Sequence, residues 1–226
     1  AGAINAAALA CRADDFDAAV DVIAEVWQNF HAEQVYRADS IGVIRTGARW
    51  LTMVSIGWAI ARWRRARPRS LLDNTPLRGL LDELVHLPRL PEVMRAGHLR
   101  SLAITASSYS SGQHVTFCQT ARPFEPWLRS QRSAVQATIG ADHLLASSAI
   151  PFVFPAQSLA MGGVAGAVEW FGDGSMRQSA PISPAIHLGA ERVLVVGAGR
   201  LNEPPGAQRQ VAGYPSLAQI AGHAMP

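Results

Sequence analysis

Glu169-Trp170-Phe171-Gly172-Asp173-Gly174-Ser175-Met176-Arg177 is the stretch on which the fold turns. Gly166 to Phe171 has the content of a short strand, and it stops at Gly172-Asp173-Gly174, where small residues let the backbone bend sharply. Asp-Gly is among the commonest hairpin turns, so these residues alone read as a plain chain reversal. The continuation argues for more. Ala180-Pro181-Ile182-Ser183-Pro184-Ala185-Ile186 leads into a brief helix around Pro184 to Leu188, and Val193 to Val196 is a wholly apolar run bounded by Gly189 and Gly197. Such a run suits a strand covered by helices on both faces. A carboxylate closing a strand, on a glycine-flanked loop, then stands where α/β proteins keep their active sites.

Working upstream, Leu99 to Ala106 and His114 to Gln119 read as strands separated by the turn residues Ser107 to Gly112. Residues 134 to 149 read as a helix stopped by Pro151 and Pro155. Thr75-Pro76 opens another helix, with Leu77, Leu80, Leu81 and Leu84 on one face and Pro88 and Pro91 ending it. Asp14 or Asp15 caps a third, in which Phe16, Val20, Ile23, Trp27 and Phe30 form an apolar stripe. Ala1 to Cys11 is a small-residue helix with Ile4, Ala7, Ala8 and Cys11 at helical spacing. Tyr214 to Ile220 starts a further helix, after a Pro/Gly-rich loop near Asn202 to Gly213. Helices alternating with strands predict an α/β class with a central sheet between helical layers, in one domain over residues 1 to 226.

The 226 residues are 49% hydrophobic and 16% charged, which excludes a disordered chain. The sequence has no run of about 18 uncharged apolar residues, and its first residues lack the pattern of a secretory signal. Two cysteines, Cys11 and Cys118, are too few for a disulfide framework and fit a reducing compartment. The seven histidines show no short-spaced pair and no His-Glu-x-x-His, so no metal is expected. Gly197-Ala198-Gly199 is only half of a nucleotide-binding fingerprint, so no cofactor is expected either.

All 20 basic residues are Arg, and the net charge of +3 is unevenly spread. Residues 1 to 40 carry two Arg against seven acids, while residues 41 to 100 carry eleven Arg against four acids. Most of that excess lies in Arg62, Arg64, Arg65, Arg67 and Arg69, directly after the aromatic stretch Trp50 to Trp63. The stretch fits an interfacial element in which Trp58 and Trp63 lie at headgroup depth and the guanidinium groups of Arg62, Arg64, Arg65 and Arg67 meet lipid phosphates. It fits equally a core helix ending in a solvated basic turn. Nucleic acid is not expected as a partner, because the patch is short and belongs to no DNA-reading motif.

No Gly-x-Ser-x-Gly occurs, but Ala1-Gly2 followed by a small-residue helix has the form of the last two positions of such a nucleophile elbow. With Asp73-Asn74-Thr75-Pro76-Leu77, Leu102-Ala103-Ile104-Thr105-Ala106, Ala146-Ser147-Ser148-Ala149-Ile150-Pro151-Phe152-Val153-Phe154-Pro155 and Asp173-Gly174-Ser175 in order, the chain resembles the bacterial patatin-like phospholipases. Ser175 departs from that family's Asp-Gly-Gly or Asp-Gly-Ala.

The resemblance implies a three-layer α/β/α sandwich and an acyl hydrolase working through a Ser-Asp dyad. Asp173 would be the base, Gly172, Gly174 and Ser175 its supports, and Ala1 and Gly2 the remnant of the elbow. The two cysteines and the Trp/Arg stretch lead to the expectation of a cytoplasmic or peripheral-membrane location. The resemblance also implies a phospholipid or other acyl-ester substrate. On this reading the serine precedes Ala1. The sequence is then an internal piece of a longer domain, lacking the N-terminal strand, the Gly-rich loop and part of the C-terminal helices. The alternative is a catalytically silent relative that binds lipid or protein.

Overall fold

The structure, a computed structural model, describes residues 2–31, 34–36, 48, 70, 72–161, 167–176 and 181–197. The readings placed on Ala1, on the Trp50 to Arg69 stretch with Trp58, Trp63, Arg62, Arg64, Arg65 and Arg67, on the 202–213 loop and on the 214–220 helix lie outside these residues. The chain divides into two compact units, Ala1–Pro181 and Ile182–Pro226.

The first unit opens with α1 (Gly2–Ala10), whose alanines bring it close to its neighbours: Ala7, Ala10 and the following Cys11 are buried. Helix α2 (Phe16–Gln28) starts at Asp15, whose carboxylate accepts the Ala18 N–H at 3.1 Å. Asp15 is therefore the cap, and Asp15→Ala is expected to lower unfolding stability by about 1 kcal/mol in urea titration. The apolar stripe of α2 is less buried than its periodicity predicts. Only Ala19 is buried, and Phe16, Val20, Trp27 and Phe30 remain substantially exposed, because the helix packs on α1 rather than on the sheet.

Helix α3 (Thr75–Leu84) begins where Asp73 accepts both the N–H and the hydroxyl of Thr75, and it buries Leu77 and Leu81. Pro91, read as a stop, lies instead in the first turn of α4 (Leu90–Arg95), where its missing N–H costs nothing.

The sheet contains β1 (Ser101–Ser108), β2 (His114–Thr120), β3 (Leu128–Arg129), β4 (Arg132–Gln136), β5 (Gln157–Ala160) and β6 (Val168–Gly172), in the order β3-β4-β2-β1-β6-β5. β1 and β2 are antiparallel over Ser101↔Thr120 to Ser107↔His114, so Leu102, Ile104 and Ala106 share one face with Phe117 and Val115. That face forms one core with α1, α3, α4 and α5 (Ala141–Ser147). Phe117 is its hub, with its ring edge-on to Phe171 at 5.2 Å and to His143 at 4.8 Å.

A mixed α/β fold with a central sheet and flanking helices is thus what the sequence reading anticipated. Three local readings are corrected. The helix expected over 134 to 149 is two elements. Arg132–Gln136 joins β2 as a parallel strand, and α5 begins only after Gly140, because Ala134 and Val135 pair with Thr116 and Phe117. The strands β3 and β5, at the two sheet edges, escaped the sequence reading: β3 is two residues long, and β5 is hidden among prolines and alanines. In the second unit α6 (Ser183–His187) forms as read. Val193 to Val196, however, joins no ladder among the described residues, and Leu194 and Val196 are each 88% exposed. Apolar content makes a run suitable for a sheet, but only a neighbouring strand satisfies its N–H and C=O groups.

Both cysteines are free and buried, and burial pushes their thiols up to about 11 for Cys11 and about 12 for Cys118. A disulfide-exchange reagent at pH 8 is expected to titrate neither in the native chain and both in urea, since the thiolate is the reactive form.

His143 Nδ1 accepts the Gly140 N–H at 3.1 Å, and burial holds its pKa below the ordinary histidine value. The unfolded chain takes up this proton near pH 6.5 and the folded chain only at lower pH. The stability contributed by neutral His143 is therefore complete above about pH 6.5 and is lost as pH falls through the folded value. Urea midpoints at pH 7.5 and 5.5 should differ more in the parent chain than in His143→Gln.

Candidate active site

Strand β6 ends at Gly172, opposite Ser107 of β1, and Asp173 follows. The loop is held from three sides. The Asp173 N–H donates to the Ala149 carbonyl at 3.0 Å, just beyond α5. One carboxylate oxygen, Oδ1, accepts the Ser175 N–H at 3.0 Å, and the other, Oδ2, accepts the Ser175 hydroxyl at 2.8 Å. The side chain is half-buried, and the 3-10 turn Gly174–Met176 packs on β1 and α5.

The two flanking glycines are required by contact. A Cβ on Gly172 would collide with the Tyr109 hydroxyl and ring, and one on Gly174 would collide with the Thr105 carbonyl oxygen. The second collision is the harder to relieve, because its partner is strand backbone. Gly172, Asp173, Gly174 and Ser175, singled out in the sequence, therefore form one unit, a carboxylate clipped by its own loop over the end of β1. Gly2 is exposed at the start of α1, and α1 packs on the same two elements, β1 and α5, as the Asp173 turn.

Tyr109 was not singled out by the sequence reading, in which Ser107 to Gly112 was only turn chemistry. Its N–H donates to the Trp170 carbonyl at 2.8 Å, its ring covers Gly172, and its hydroxyl reaches the Met176 sulfur at 3.7 Å. Burial first, and then the negative charge of Asp173, push its phenol above the ordinary tyrosine value. A large ring folded over a glycine on a strand distant in sequence is a tertiary contact, and no local pattern marks it.

Three other serines lie against groups that could take a proton. Ser108 donates to Glu169, which also accepts from Ser111 at 2.8 Å, while the Ser108 oxygen accepts the N–H groups of Ser110 and Ser111 at 3.1 and 3.0 Å. With 4% exposure and its oxygen engaged by two amides, Ser108 fastens the β1–β2 turn to β6 and is poorly placed to attack a substrate. In the second unit, Ser183 Oγ lies 3.2 Å from His187 Nδ1. The same nitrogen lies 2.9 Å from the Ser183 carbonyl, to which it donates when protonated, so it is not then a base for the hydroxyl.

A cavity of about 220 Å³ opens within the first unit, walled by α1, α2, α3 and the segment after α5. Its lining is almost wholly apolar, with Ile4, Ile23, Trp27, Leu80, Leu84 and Phe154 prominent.

A mixed sheet that presents an acidic side chain on a glycine-bounded loop at a strand end, backed by a small-residue helix, is an arrangement used by α/β hydrolytic enzymes. Residues 1–186 match the family model described as patatin-like phospholipase, and the chain belongs to that family. Its class is accordingly that of lipid acyl hydrolases of the Ser-Asp type. No curated protein and no solved structure matches it to a significant degree. No helix among the described residues is long and apolar enough to cross a membrane.

Proposed function

We propose that this chain forms the acid-bearing part of a phospholipase A or esterase site in which Asp173 is the general base. A serine immediately before Ala1 would supply the nucleophile. Its hydroxyl oxygen attacks the ester carbonyl as Asp173 takes the proton, the alcohol leaves with that proton, and water then releases the fatty acid from the acyl-serine. The N-terminal end of α1, facing the developing negative charge, favours it. The observation that carries the reading is the Asp173 loop, whose carboxylate Ser175 orients from both oxygens and whose flanking glycines admit no side chain. Family membership over residues 1–186 supports it independently. Ser175, where the family has a still smaller residue, contributes a hydroxyl clip on the base.

Fluorophosphonate labelling tests the proposal. The polypeptide extended upstream of Ala1 should label on one serine, whereas the 226-residue chain alone should neither label nor hydrolyse short acyl esters. Hydrolysis by the purified 226-residue chain that Asp173→Ala abolishes would overturn the assignment of the nucleophile. A residue other than serine before Ala1 would favour the silent, lipid- or protein-binding relative.

The Trp and Arg stretch adds a membrane-surface partner to the proposal on sequence grounds. Arg64→Glu with Arg65→Glu is expected to reduce flotation with anionic vesicles, each lost cation removing about 1 kcal/mol of attraction. Unchanged flotation would dismiss it.

A further inference from the structure

We infer that Tyr109 is a positioning residue for the proposed base: its side chain clamps Gly172 and Met176, the residues that bracket the loop on which Asp173 stands. The inference deepens the hydrolase proposal and rests on it only for calling Asp173 a base.

The join that carries the acid is short. Among the described residues β1 and β6 are in register at two positions, Ser107↔Gly172 and Ser108↔Phe171, whereas β1 and β2 are in register at seven. Backbone bonds alone therefore hold the end of β6 weakly, and Tyr109 reinforces it in three ways. Its N–H donates to the Trp170 carbonyl at 2.8 Å, its ring lies against Gly172, and its hydroxyl donates to the Met176 sulfur at 3.7 Å. One residue of the β1–β2 turn thus touches the position before Asp173 and the end of the 3-10 turn after it.

Gly172 supplies the second argument. Its backbone is not in the left-handed region, so conformation does not call for a glycine there. The three atoms that a Cβ would strike all belong to Tyr109. Glycine weakens a strand, and here the missing side chain is what seats the ring. Gly174 differs, because Thr105 backbone stands in its way and no change at Tyr109 would relieve that collision. Burial raises the Tyr109 phenol and the Asp173 charge raises it further, so the clamp and the acid lie within electrostatic reach of each other. A thioether is a weak acceptor, so the ring on Gly172 is the main contact and the hydroxyl the lesser one.

Amide exchange of the 226-residue chain, followed by NMR, tests the clamp. In Tyr109→Ala the Asp173 and Ser175 N–H groups, which donate to the Ala149 carbonyl and the Asp173 carboxylate, should exchange about tenfold faster, with Ile104 and Phe117 of the β1–β2 ladder unchanged. Tyr109→Leu, which cannot cover Gly172 as a flat ring does, takes its place should Tyr109→Ala not fold. Tyr109→Phe should recover the parent rates. Gly172→Ala should speed the same two amides in the parent and far less in the Tyr109→Ala background, since the collision is then gone. A residue that only filled space would not answer to the charge of the acid. The Tyr109 phenol, assigned by its absence in Tyr109→Phe, should therefore titrate at lower pH in Asp173→Asn than in the parent. In the serine-bearing polypeptide Tyr109→Ala should lower kcat and leave KM unchanged, with Tyr109→Phe restoring kcat.

Unchanged exchange at Asp173 and Ser175, equal acceleration throughout the β1–β2 ladder, a Gly172→Ala effect independent of residue 109, or a phenol indifferent to Asp173→Asn would each overturn the inference. The exchange and phenol readouts involve no turnover, so their failure would leave the role of Asp173 standing. Conversely, an active Asp173→Asn enzyme would sink the hydrolase reading without loosening the clamp.

Discussion

Asp173→Asn, in the polypeptide that carries the serine proposed to precede Ala1, is expected to lower kcat/KM for a short acyl ester by about 1,000- to 10,000-fold. That corresponds to about 4 to 5.5 kcal/mol of transition-state stabilisation. The amide keeps the shape and still accepts from Ser175 through its oxygen, but its nitrogen can neither accept the Ser175 hydroxyl proton nor receive one from the nucleophile. In a dyad with no histidine relay, no second group takes over. The melting temperature should change little, because the carboxylate is half-buried and its partners lie within its own loop. Retention of kcat/KM within tenfold, with labelling intact, would remove Asp173 from the mechanism. Ser175→Ala is the milder companion: it leaves the base in place and frees one oxygen, so its effect should fall on kcat rather than KM.

Phe117→Ala should produce the largest loss of stability, about 3 to 5 kcal/mol by urea titration. Phe117 is wholly enclosed, and it joins β2 to Phe171 of β6 and to His143 of α5, the two elements that hold the Asp173 loop. Against a typical total of about 5 to 15 kcal/mol, this is a large share, and the melting temperature should drop by about 10 °C. Leu194→Ala, also a large-to-small apolar change but at an exposed position, should stay within about 0.5 kcal/mol. Equal losses for the two would mean that the second unit buries Leu194 in solution.

Much of the first unit was legible because local chemistry and tertiary role agree. Asp15 marks the start of α2, Thr75-Pro76 the start of α3, and the strand content of Ser101–Ser108 and His114–Thr120, split by turn residues, matches two paired strands. The Asp173 loop was legible as a candidate site only from its context, because Asp-Gly by itself is ordinary turn chemistry and it was the strand before it, the segments after it and the ordered family motifs that set it apart. Where the reading failed, the deciding partner was distant in sequence. Arg132–Gln136 is a strand because β2 lies beside it, and the stripe of α2 is half-open because α1, not the sheet, receives it.

The amino-acid sequence alone determined the class and the family and singled out Asp173 as the candidate acid, since each rests on residue types in a fixed order along the chain. Only the tertiary structure decided that Ser175 holds both oxygens of that acid, that Tyr109 and Thr105 forbid side chains at Gly172 and Gly174, and that an apolar cavity opens between α1, α2 and α3. The reason is physical. Composition and periodicity report what a residue prefers, whereas collisions, shared hydrogen bonds and voids belong to pairs of residues brought together by folding.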